Sequence, residues 1–103
     1  LAAVPTDYKA HYYRGEIYRR SGKNLDERMR AAPYYEKAVS LEPRFAEAHR
    51  ALGILYFRVG EREKARSALR QYVRLACERD RVREPAKDCG AIREYLIELS
   101  LPQ

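Results

Sequence analysis

Apolar and small residues recur three, four and seven positions apart along most of this 103-residue chain, the spacing of one helix face. Tyr8, His11, Arg14, Gly15 and Tyr18 share a side, so a first helix is predicted from a Thr6 or Asp7 cap to about Arg20, stopped at Gly22. A second helix, capped at Asp26, ends before Pro43, and Pro33 within it should kink it or delay its start. A third spans about Arg44 to Val59 and stops at Gly60; a fourth runs from about Arg62 to Ala76. Glu78 to Glu84 is dense in charge and reads as a loop. Pro85 suits the first turn of a fifth helix, with Ile92, Tyr95, Leu96 and Leu99 as its apolar stripe. The expected fold class is all-α: antiparallel helix pairs, about five helices.

The two halves repeat. Gly15, Tyr18 and Gly22 recur as Gly53, Tyr56 and Gly60 at an offset of 38, as His11 does at His49. Further on the offset is 34: Ala31 meets Ala65, Tyr35 meets Leu69 and Leu41 meets Leu75. The change implies a four-residue insertion between Gly22 and Ala31, naturally at Lys23 to Leu25, about one turn of a longer helix. Gly15 with Ala31, and Gly53 with Ala65, fall where antiparallel helices would cross closely.

These residues carry a resemblance to the tetratricopeptide repeat, whose consensus is Trp-x2-Leu-Gly-x2-Tyr, then Ala-x3-Phe, then Pro. The second copy reads His49-x2-Leu52-Gly53-x2-Tyr56, then Ala65-x3-Leu69; the first reads His11-x2-Arg14-Gly15-x2-Tyr18, then Ala31-x3-Tyr35, Ala38 and Pro43. Arg14, Tyr72 and Cys77 depart from the pattern. The resemblance implies an α-solenoid in a single domain, 1–103: repeat one about 8–45 with its insertion, repeat two about 46–79, and a capping helix about 85–100. The tail Ala91-Ile92-Arg93-Glu94-Tyr95-Leu96 looks like the ends of many bacterial repeat modules.

In that family the first helix of each pair lines a concave groove for peptides. Carried over, the resemblance marks Lys9, Tyr12, Glu16, Arg19, Arg20, Glu47, Arg50, Ile54, Phe57 and Arg58, which lie off the core face in both copies. Arg and Lys outnumber Glu in this set, and Tyr12, Ile54 and Phe57 add apolar area, which suits an acidic peptide with an apolar anchor. Phe57 and Ile54 have a second reading, as packing for the last helix. Ile54 and Glu16 stand where a carboxylate clamp of that family would want Asn, so a chaperone-tail receptor is not expected.

Composition narrows the rest. The chain is 35 % charged and 46 % hydrophobic with a net charge of +6, and Arg and Lys alternate with Glu and Asp, the mark of solvated helix faces rather than a nucleic-acid stripe. No apolar run reaches the ~18–20 residues of a membrane span, and no signal peptide is visible. The start at Leu1 reads as a processed protein or an excised domain. His11 and His49 occupy equivalent positions and are expected to fill the motif's Trp site. No metal, cofactor or catalytic motif is found, so no enzyme is expected. Cys77 and Cys89 would close a 12-residue loop over the core if bonded, which needs an oxidising compartment; the alternative is two reduced, partly buried thiols. Of nine tyrosines, Tyr8, Tyr18, Tyr35, Tyr56, Tyr72 and Tyr95 fall at core spacing; Tyr12, Tyr13 and Tyr34 are left for surface contact.

The expected function is a scaffold that binds an acidic protein or peptide through the concave face. The alternative is a structural or oligomerisation segment of a larger bacterial protein, of the envelope or attached to a peptidase, with self-association as one form. The compartment stays open, leaning to the bacterial periplasm or envelope.

Overall fold

Asp7 opens the first helix: its carboxylate accepts hydrogen bonds from the backbone N–H of Lys9 and Ala10, at 3.1 and 3.2 Å, so free donors of the first turn are satisfied. The computed structural model describes residues 7–78 and 83–102, all-α with no strand among them; Thr6, the other proposed cap, and positions 79–82 of the expected loop lie outside that range. The helices are α1 (Tyr8–Ser21), a single turn α2 (Leu25–Arg28), α3 (Ala32–Leu41), α4 (Ala46–Val59), α5 (Arg62–Ala76) and α6 (Cys89–Ser100).

The insertion takes a form that its length alone did not specify. It forms a bend after Gly22 and the extra turn α2, followed by a 3-10 turn, Met29–Ala31. The cap is Asn24, two residues before the expected Asp26: Asn24 accepts from the Glu27 N–H at 2.9 Å, while the Glu27 carboxylate accepts from the Lys23 N–H at 2.9 Å. Pro33 then sits in the first turn of α3, where a missing N–H costs nothing, and the regular helix starts only there. Two other boundaries move. The third helix begins at Ala46 rather than Arg44, after Phe45 in extended conformation. The last begins at Cys89, leaving Pro85 in non-helical chain before it.

Gly60 closes α4 with φ 84°, the left-handed conformation that an L side chain resists, so that the Glu61 N–H can reach the Tyr56 carbonyl at 3.0 Å. Packing runs in chain order: α1 on α3, α3 on α4, α4 on α5, α5 on α6. The core is Tyr35, Leu52, Leu55, Tyr56, Leu69, Tyr72, Ile92 and Leu99, with small Ala31, Ala51 and Ala65 between them. The repeated glycines make room for the large member of the motif. A Cβ on Gly15 would lie 2.7 Å from Tyr35 Cε1, and one on Gly53 would lie closer still to Leu69.

Three buried tyrosines carry their hydroxyls outward to carboxylates. Tyr35 donates to Glu16, Tyr56 to Glu36 at 2.5 Å, and Tyr72 to Asp88 at 2.6 Å. Each ring is buried while its polar end reaches the edge of the layer, which is how a thin helical stack keeps tyrosine in its core.

The cap α6 is held at several points. Cys77 and Cys89 form a disulfide, Cα atoms 5.7 Å apart. Arg62 donates to the carbonyls of Glu98 and Leu101 at 3.0 and 3.3 Å, and Arg66 to that of Leu99 at 2.5 Å, placing cations on the free carbonyls at the C-terminal end of α6.

Candidate binding groove

Because α1 and α4 each pack on α3 and barely touch one another, a trough opens between them. Its volume is about 510 Å³. From α1 come Tyr12, Glu16, Arg19 and Arg20; from α4 come Glu47, Arg50, Ile54 and Arg58, with buried Ala51 and Leu55 as floor. Eight of the ten residues marked by the sequence thus meet on one surface. Leu25 and Arg28 of α2 also line it, so the inserted turn supplies one wall.

Lys9 and Phe57 do not line this trough. Lys9 is exposed in the first turn of α1. Phe57 is half-buried and meets the ring of Tyr95 edge-on at 4.8 Å, so of its two readings the packing against the last helix is the one realised. Tyr12 also does more than face the groove: its ring lies 5.0 Å from Phe45 and 5.7 Å from Tyr35, and burial, followed by the nearby Glu16 and Glu47, raises its hydroxyl pKa. Tyr34, left for the surface, stacks on Tyr18 at 5.3 Å beneath the Arg14 guanidinium.

The charges in the trough are unequal partners. Glu16 is spent within the protein. Arg19 binds it at 2.7 Å, Arg20 approaches to 3.6 Å and Tyr35 donates to it. The Arg19 hydrogen bond is the main reason that its pKa falls. Arg28 is turned to the Gly22 carbonyl at 3.0 Å. Arg50 is held by Asp88 through its Nε at 2.5 Å. Arg58 is exposed on α4 and makes no hydrogen bond or ion pair among the described residues. The surface is therefore cationic: five arginines line it, and one of its two glutamates is already neutralised.

Asp88 was not among the sequence candidates. It stands at the start of α6, where a capping role would be expected, yet it makes no cap bond. Its carboxylate instead joins Tyr72 and Arg50 across the fold. Burial pushes its pKa up, but the hydrogen bonds from Tyr72 and Arg50 outweigh that and hold it below the usual range. The only local signal was an acid beside Cys89.

His49 places its Nε2 2.7 Å from the Pro43 carbonyl, which ties α4 to the turn before it. Among the described residues no cluster of three or more His, Cys, Asp or Glu could hold a metal ion, and no helix is long and apolar enough to cross a membrane.

No protein-family model, curated protein or solved structure matches the chain. The chemistry of the trough thus rests on its own residues: arginine donors on two walls over an aliphatic floor.

Proposed function

We propose that the chain is a tetratricopeptide-type scaffold whose α1–α4 trough binds an acidic peptide or an acidic segment of another protein. The observation that carries this reading is the trough itself, about 510 Å³ of concave surface lined by Arg19, Arg20, Arg28, Arg50 and Arg58 over Ile54, Ala51 and Leu55. Guanidinium groups pair bidentately with carboxylates, and an aliphatic floor accepts one apolar anchor between them. Arg58 supplies a fork that no other described residue engages, so pairing it breaks no contact among them.

An NMR titration of the chain with acidic and with basic peptide pools tests this. The acidic pool should shift amides of α1 and α4 that line the trough, and Arg58→Glu should weaken that binding about tenfold, the scale of one charge-assisted contact. Arg50 is the poorer choice for substitution, because it also anchors Asp88. Equal shifts from the basic pool, or none from either, would rule the reading out.

A further inference from the structure

Among the described residues, five large hydrophobic side chains are exposed: Tyr13 (60 %), Ile17 (63 %), Leu25 (37 %), Ile97 (63 %) and Leu101 (57 %). Leu25 belongs to the trough wall. The other four form two pairs, each with a spacing of four, one on the first long helix and one at the last. On α1, Tyr13 and Ile17 lie opposite the buried Gly15, about 160° around the helix from it. On α6, Ile97 lies about 140° around the helix from the buried Ile92, and exposed Leu101 follows in extended conformation at the end of the helix. These are the outward faces of the two ends of a stack in which helices pack in chain order.

Repeat stacks ordinarily end in a polar outer face, because an apolar one invites further stacking. Neither end here is polar throughout, and the two differ in charge. The α1 face is flanked by exposed Arg14, Arg20 and Lys9. The α6 face is flanked by exposed Glu94 and Glu98, whose carboxylates have no partner among the described residues, while Arg93 is directed to the Cys77 carbonyl at 3.4 Å.

We propose that copies of this chain associate head to tail, the Ile97–Leu101 face of one copy resting on the Tyr13–Ile17 face of the next. Apolar pairs meet at the centre, and Glu94 and Glu98 oppose Arg14, Arg20 and Lys9 at the rim. The occupant is a second copy because the complement of each end is present on the other end of the same molecule, and like ends would set like charges together. Such a contact is heterologous: it leaves a free face at each end and does not close at two copies. It shares Arg20 with the trough but uses neither Ile54 nor Arg58, so loss of acidic-peptide binding on Arg58→Glu and loss of self-association on Ile17→Glu or Ile97→Lys are separable.

Sedimentation velocity on the full chain, from micromolar to millimolar concentration, decides the matter. The mean mass should climb from 12.1 kDa through and past twice that value, with less association at high salt. Ile17→Glu and Ile97→Lys each destroy one face and should each remain monomeric. Mixed in equal amounts, they should form a dimer and nothing larger, since one supplies an intact α6 face and the other an intact α1 face. Circular dichroism confirms that both variants stay helical; Glu94→Lys with Glu98→Lys replaces Ile97→Lys if that variant does not. A native chain that is monomeric throughout, a single variant that still dimerises, or a mixture that stays monomeric would overturn the proposal.

Discussion

Asp88 holds Arg50 across the join between the cap and the concave face, with Oδ2 2.5 Å from the guanidinium Nε. The other carboxylate oxygen accepts the Tyr72 hydroxyl, so one acid links α4, α5 and the entry to α6. The adjacent residue is Cys89, bonded to Cys77. The position of the cap and the charge of the trough are therefore set by the same two neighbouring residues.

Asp88→Ala should lower stability by about 1–3 kcal/mol, because it leaves the Tyr72 hydroxyl buried without its acceptor. The same change frees Arg50. Urea unfolding measures the first effect, and the peptide titration reads the second as tighter binding of acidic peptides.

Breaking the disulfide with Cys77→Ser should cost about 3 kcal/mol in the loop-closure account for a separation of 12. Its effect should not add simply to that of Asp88→Ala, since Cys89 holds Asp88 in place; a double-mutant cycle in urea exposes the coupling. Additive losses would show that the carboxylate keeps its partners without the crosslink.

Gly53→Ala should destabilise by roughly 1–3 kcal/mol, as overpacking in a full core does. The new methyl would collide with Leu69, which is fully buried. Leu69→Ala loses stability by itself, but the pair should cost less than the sum of the two single changes, because the smaller side chain vacates the space. Thermal melts of the three variants check it.

Stability should fall at both extremes of pH. Glu16 and Asp88 have pKa values lowered from 4.5 and 3.8 in the folded chain. Their contribution is present above those values and is lost as pH falls through the folded ones. Tyr35, Tyr56 and Tyr72 are raised from 10.0, mainly by burial, Tyr72 to about 12. Their contribution is complete below pH 10.0 and disappears as pH rises through the folded values. Urea midpoints should be flat near neutrality, and Glu16→Gln should flatten the acid limb.

Periodicity and punctuation within single segments were enough to read the all-α class, five helical segments and the stops at Gly22 and Gly60. The duplication located the inserted residues and the close-packed glycines. These features are local, set by which residues lie three or four apart and, at Gly60, by tolerance of a left-handed turn. The concave set was mostly legible too, because Tyr12, Glu16, Ile54 and Arg58 share faces of single helices. What a helical wheel cannot show is the partner from another element. Only the packing of α6 on α5 brings Asp88 to Arg50 and Tyr72, and only its packing against α4 turns Phe57 to Tyr95. Glu16 is legible as a groove residue, but only the fold sets Tyr35, 19 residues away, against it. A sequence states which side chains share a face; how far each of those charges is already spent depends on groups brought from a distance, and the tertiary structure decided that.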